Sequence, residues 1–290
     1  MTMRYVVWII LPAVVGAVAA SADAFDWVEL HNAAEAVQWS DVEDRVAEDA
    51  LSLTNLYMAG LAALTAHDVE GAERCFSGVL ARAPERYEAA WGLAEVMRRR
   101  HRKQEALQQL DALVAKHPRF APAVLSTAYV HFIEKRFQEA LDTAGRVVDM
   151  PEREVDTPNR ARALVLMAGS RALLAHHGGL IAKLRYGTRV FGALKAAEEL
   201  RPEGPEVLLG LGGFYLLAPS IAGGDLERGL TMLKKAVEID PRLPDAHVRL
   251  AQAYRLQGNE SKYHEHLQRA RELDPRSELV KDILDGTCDF

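Results

Sequence analysis

The residues of this chain best suited to chemistry are ten histidines, two cysteines and one dense run of cations. Metal binding or general acid–base catalysis needs imidazoles that converge on one point, and the histidine spacings work against that. His176 and His177 are adjacent and diverge on a helix, while His264 and His266 are two apart and fall on different faces. There is no pair of histidines at i, i+4 and no HExxH. Cys75 and Cys288 stand 213 positions apart, so they form no CxxC and no metal cradle. An exported location would permit a bridge between them; otherwise Cys75 reads as a small buried apolar residue. No GxSxG elbow, no GxxxxGK phosphate loop and no GxGxxG after a strand is present, and Gly210-Leu211-Gly212-Gly213 lies within a helical pattern. The residue types therefore predict no catalytic residue, no cofactor and no metal.

The cation run Arg98-Arg99-Arg100-His101-Arg102-Lys103 could dock an acidic partner or anionic headgroups, or simply form a solvated turn. Over the whole chain, 35 basic residues face 41 acidic ones, for a net charge of −6. A general nucleic-acid binder needs the opposite balance, and the composition excludes that class. With 49% apolar and 26% charged residues, the 290-residue chain can bury a sizeable core.

The N-terminus reads as an address. Arg4 precedes an apolar run from Tyr5 to Ala19, and Ala20-Ser21-Ala22 then stands before Asp23, the order of a secretory signal cleaved after Ala22. Because Tyr5 to Ala22 is 18 uncharged residues, near the lower limit for a spanning helix, an uncleaved inner-membrane anchor is the alternative. No cysteine follows the run to carry a lipid. The predicted location is periplasmic or secreted.

The elements that position the side chains repeat every 34 residues. Ala72, Ala106 and Ala140 share that spacing, as do Pro84 with Pro118 and Pro241 with Pro275. Small residues at Gly60, Ala94, Ala128, Gly212 and Ala251 would let helix axes approach, and larger ones such as Phe76, Leu110, Leu233 and Leu267 would fill the gaps. Asp68, Asp225 and Asn259 stand where a second helix needs an N-cap. This is the tetratricopeptide pattern, and it predicts an all-α solenoid of six helix pairs: about 53–86, 87–120, 121–154, 158–202, 205–241 and 244–275. Residues 1–22 are the signal, 23–52 an arm or capping helix, 53–275 the repeats, and 276–290 a capping helix and tail.

Two repeats exceed the period. The fourth carries about ten extra residues around His176–Tyr186, which should lengthen both of its helices. In the fifth, Pro219 should stop the first helix, Gly223 and Gly224 should supply positive φ, and Asp225 should cap the second helix. An elongated fourth hairpin with Tyr186-Gly187, followed by the turn at Pro219, Gly223, Gly224 and Asp225, resembles the T-component family of TRAP transporters. That resemblance implies a periplasmic accessory subunit that binds the substrate-binding component of an organic-acid uptake system, with a small organic ligand as a second occupant. The family's characterised type is a lipoprotein, which this chain is not. The alternative is a general cell-envelope scaffold that binds a protein and no small molecule.

A partner surface is predicted on the first helices, at Tyr57, Trp91, Arg98, Arg99, Tyr129, Phe132 and Arg162, where aromatic burial beside paired charge suits an extended peptide. The same aromatics would equally pack on the N-terminal arm. Homo-oligomers are compatible with such an array.

Overall fold

The computed structural model describes residues 25–48 and 51–284. The predicted signal at 1–22, its cleavage point, Cys288 and the tail from 285 lie outside the described residues. Among the described residues there is no strand, and no helix is long and apolar enough to cross a membrane. The fold is an all-α array of antiparallel helix pairs, divided into two compact units.

The first unit comprises the described residues up to Lys116 together with Glu152–Asp156. It opens with α1 (Trp27–Ala34) and α2 (Glu43–Ala47), followed by the pairs α3 (Leu53–Thr65) with α4 (Val69–Arg82) and α5 (Tyr87–Arg99) with α6 (Lys103–Lys116). The second unit comprises His117–Pro151 and the described residues from Thr157. Its pairs are α7 (Ala121–Ile133) with α8 (Phe137–Val148), α9 (Thr157–His177) with α11 (Val190–Leu200), α12 (Pro205–Leu217) with α13 (Leu226–Ile239), and α14 (Pro244–Leu256) with α15 (Glu260–Leu273). A short helix, α10 (Leu180–Tyr186), is inserted in the fourth pair, and α16 (Glu278–Leu284) is the last of the described helices.

The 34-residue spacing has a packing cause. Ala72, Ala106 and Ala140 are fully buried, each where a second helix meets its neighbours and a larger side chain would push the axes apart. In the first pair the Phe76 ring fills the space left by two glycines. A Cβ on Gly60 or on Gly92 would stand 2.7 or 2.5 Å from that ring, so glycine on both sides is what admits a phenylalanine.

The turn inside the first, second, third and sixth pairs is equally regular. His67, His101 and Lys135 adopt left-handed backbone with φ of 58°, 61° and 62°, and Gly258 does so in the sixth pair with φ of 75°. The next amide returns to a carbonyl five residues back: Asp68 to Ala63, Arg102 to Met97, Arg136 to His131, and Asn259 to Tyr254. That closing bond satisfies carbonyls at the end of the first helix. Asp68 and Asn259 then use their side chains to accept from Gly71 N and Lys262 N, starting the second helix.

Two expectations are corrected. In the fourth pair only the first helix is lengthened, to 21 residues, while its second helix has 11. A Cβ on Gly178 would meet the Leu174 carbonyl oxygen at 2.7 Å and the Ala182 Cβ at 2.3 Å, and the chain turns tightly there into α10. In the fifth pair Gly223 has φ of 99° but Gly224 does not have positive φ. Gly224 is required by close approach instead, since a Cβ there would fall 1.8 Å from the Ala218 carbonyl oxygen. Pro219 follows the end of α12, and Asp225 accepts from Arg228 N at the start of α13.

Candidate functional site

In the first unit Tyr57 on α3 and Trp91 on α5, one period apart, form a column across the first helices. The chain covers this column with its own arm. Phe25 meets the Tyr57 ring edge-on at 5.0 Å, His31 lies over Trp91 at 5.3 Å, and the Arg86 guanidinium sits 4.5 Å above Phe25. Tyr57 is fully buried and Trp91 is 7% exposed. Of the two openings the sequence left for these aromatics, packing on the arm is the arrangement found.

Beneath the arm, His31 Nε2 is 2.8 Å from the Tyr57 hydroxyl, and the buried Asp156 carboxylate lies 3.9 Å from His31 Nδ1. A Tyr–His–Asp series has the composition of a proton relay, yet its setting opposes that role. Burial, reinforced by Glu88 and Asp156, holds the Tyr57 hydroxyl well above its ordinary value, so it stays neutral and enclosed. The three groups tie the arm and the segment Glu152–Asp156 to α3.

The cation run is balanced by nearby acids. Arg98 donates through Nε and Nη2 to Glu95, and Arg100 makes a two-pronged pair with Glu73 at 2.9 and 2.6 Å. Arg102 pairs with Glu105. The Arg100 guanidinium accordingly holds the Glu73 carboxyl below its usual value. Arg99 donates to the Leu64 carbonyl at 2.7 Å, an end-of-helix oxygen of the preceding pair. Arg99 and Arg100 thus join α5 and its end to the preceding pair, while the Arg98–Glu95 pair lies within α5.

In the second unit, α7, α9 and α12 pack side by side. Tyr129 and Phe132 on α7 are half-buried, with ring centroids 6.5 Å apart and ring planes inclined by 30°. Phe132 also meets Phe137 at 5.7 Å and rests near Gly169 of α9. Arg162 on α9 is exposed and pairs at 3.3 Å with Glu206 of α12, which Arg201 also contacts. Tyr129, Phe132, Arg162 and Glu206 thus offer apolar and charged groups at the surface of one unit, while Tyr57 and Trp91 in the other are covered.

Three features escaped the sequence reading. Trp39 donates from Nε1 to Asp68 at 2.8 Å, so the capping aspartate also anchors the arm. His67 and His101 occupy left-handed turn positions. The third is a histidine pair in the sixth repeat, buried His247 with half-buried His266: their Nδ1 atoms are 3.0 Å apart, and His247 Nε2 is 3.1 Å from the Pro241 carbonyl. Since Nε2 must donate to that carbonyl, neutral His247 accepts at Nδ1 and His266 donates. Burial pushes both imidazoles below the ordinary histidine value. Among the described residues, no three His, Cys, Asp or Glu side chains are grouped to hold a metal ion. Cys75 is buried, and its thiol is pushed up to about 12 by that burial.

Residues 63–127 match a tetratricopeptide repeat family model. No curated protein sequence matches. Among solved structures, the chain is similar to the human IFIT1 dimer with m7Gppp-AAAA at 18% identity, covering 85% of this chain and 57% of that one, with a TM-score of 0.55. It is similar to a chain of the APC/C hetero-tetramer Cut9-Hcn1 at 12% identity, covering 91% and 54%, with a TM-score of 0.51. Pseudomonas aeruginosa pilF matches at 13% identity over 84% of this chain and 99% of that one, with a TM-score of 0.46. The two likenesses with TM-scores above 0.5 show the helix-pair repeat fold.

Proposed function

We propose that this chain is a non-catalytic adaptor of the cell envelope that holds a protein partner on the face formed by α7, α9 and α12. The observation that carries the reading is the contrast between the two units. In the first, the column at Tyr57 and Trp91 is filled by a helix, α1, from the same chain. In the second, Tyr129, Phe132 and Arg162 keep surface exposed on the equivalent helices. A face of this kind takes a helix or extended segment by burying its apolar side chains beside fixed charges, and the first unit displays such an occupant.

The finer reading is an accessory subunit of a TRAP-type uptake system, with the substrate-binding component as partner. It is supported by the sequence resemblance in the fourth hairpin and by the turn at Pro219–Asp225. The alternative, a general envelope scaffold, shares the same face and differs in what it holds. A photo-crosslinking residue at position 132, activated in the native envelope, separates the two. Capture of a substrate-binding protein supports the uptake role, and capture of assembly factors supports the scaffold. A crosslink yield unchanged by Tyr129→Ala with Arg162→Glu would place the contact elsewhere.

A further inference from the structure

The inserted helix α10 reverses the usual arrangement of an amphipathic surface helix. At about 100° per residue, Leu180, Ile181 and Leu184 share a stripe, with Lys183 on one flank and Arg185 on the other. That stripe faces outward: Leu180, Ile181 and Leu184 are 73%, 82% and 64% exposed. The opposite side, Ala182 and Tyr186, is partly covered, and the Tyr186 hydroxyl donates to Gln138 at 3.0 Å. A helix that turns three aliphatic side chains to water while its small residue faces the protein leaves its own apolar stripe unburied.

Charge around the stripe is one-sided. Between Asp156 and Glu198 there are seven Lys or Arg residues and no Asp or Glu, in a chain whose net charge is −6. The turn edge of the second unit extends the apolar character. Phe191 meets Phe214 at 5.1 Å and Gln257 donates to Glu227 at 2.8 Å, which places the turns of the fourth, fifth and sixth pairs along one edge. On that edge Ile221 is 99% and Leu256 64% exposed. The acids of that edge, Asp225, Glu227 and Glu260, belong to the fifth and sixth pairs, while on the covered side of α10 Asp142 accepts at 2.9 Å from the Gln138 that Tyr186 meets; in sequence the exposed stripe is flanked by Lys183, Arg185 and Arg189.

We propose that α10 is a membrane-surface anchor: Leu180, Ile181 and Leu184 enter the headgroup–acyl boundary of an anionic bilayer while Lys183, Arg185 and Arg189 engage lipid phosphates. Lipid is favoured over a second protein by area and by charge. Three aliphatic side chains expose on the order of a few hundred Å², short of the roughly 800 Å² per partner that a stable protein interface covers. An outward apolar stripe flanked on both sides by cations, with the neighbouring Asp142 on the covered side of the helix, is the geometry of an interfacial helix. The long stems of Lys183 and Arg185 let their charges reach the headgroups while the stripe goes deeper.

The test is flotation of the full chain with vesicles of pure phosphatidylcholine and with vesicles of phosphatidylcholine containing about one third phosphatidylglycerol, a fraction that supplies dense anionic charge. Anionic vesicles should bind the chain, and salt should weaken that binding. Leu180→Ser/Ile181→Ser/Leu184→Ser and, separately, Lys183→Glu/Arg185→Glu should each reduce partitioning by roughly tenfold or more. Helical content and melting temperature should not change, since the substituted side chains are mostly exposed. Comparison with wild type cancels any contribution from residues 1–22. Three results would overturn the proposal: triple-serine partitioning equal to wild type, equal binding to both vesicle types, or loss of a dimer by the triple variant at unchanged vesicle binding.

Discussion

At the scale of single residues, burial and close approach decide more than residue type. The His247–His266 pair shows this most directly, because the Pro241 carbonyl and the 3.0 Å separation leave one hydrogen between the two facing nitrogens. A folded-state pKa below the ordinary value of about 6.5 means the unfolded chain binds more protons. Stability from the pair is therefore fully present above that value and falls as pH drops through it. The expected result is a melting temperature that declines from pH 7.5 to 5.5, with a smaller decline in His266→Gln; equal slopes would remove the pair from this account. Gly224 provides a second residue-scale prediction. Gly224→Val should cost about 3 kcal/mol through collision with the Ala218 carbonyl, whereas Gly223→Ala should cost about 1 kcal/mol through its positive φ. Chemical denaturation of both variants checks the order, and the reverse order contradicts the assignment.

At the scale of elements, the repeats and their caps were legible because each rests on a strong local signal. Alanines at 34-residue spacing, prolines after second helices, and Asp68, Asp225 and Asn259 before them all report directly on packing or capping. The left-handed turn positions were not legible. Glycine marks only the one at Gly258, while His67, His101 and Lys135 hold the same conformation with side chains that gave no such sign. His101→Gly should therefore relieve strain and stabilise the second pair by up to about 1 kcal/mol, measurable as a higher denaturation midpoint. The helix α10 was not legible either, because Gly178-Gly179 reads equally as a loop or as the tip of a longer hairpin. The arm was half legible: its capping role could be read from its position, but not that Trp39 would bond Asp68 or that His31 would reach Tyr57. Asp68→Ala removes a cap and the Trp39 acceptor together and should cost about 2 kcal/mol. Asp68→Asn, keeping the cap, should restore part of it.

At the scale of the whole molecule, the two units differ in what covers their first helices. The first is braced by its own arm, by the arginines of the cation run and by Phe76 between Gly60 and Gly92. The candidate site was legible only in part from the sequence, since Tyr57, Trp91, Tyr129 and Phe132 all read as one aromatic column. Whether the chain would cover part of that column depends on contacts between residues 26 or more apart, such as His31 with Tyr57, which no local pattern encodes. The central claim is that binding belongs to the second unit. Hydrogen–deuterium exchange, with and without the protein captured by the crosslink at position 132, tests it most directly. The account predicts slowed exchange in 121–133 and 157–177, with 53–65 and 87–99 unchanged; slowing confined to the latter two segments, with α1 released, would contradict it.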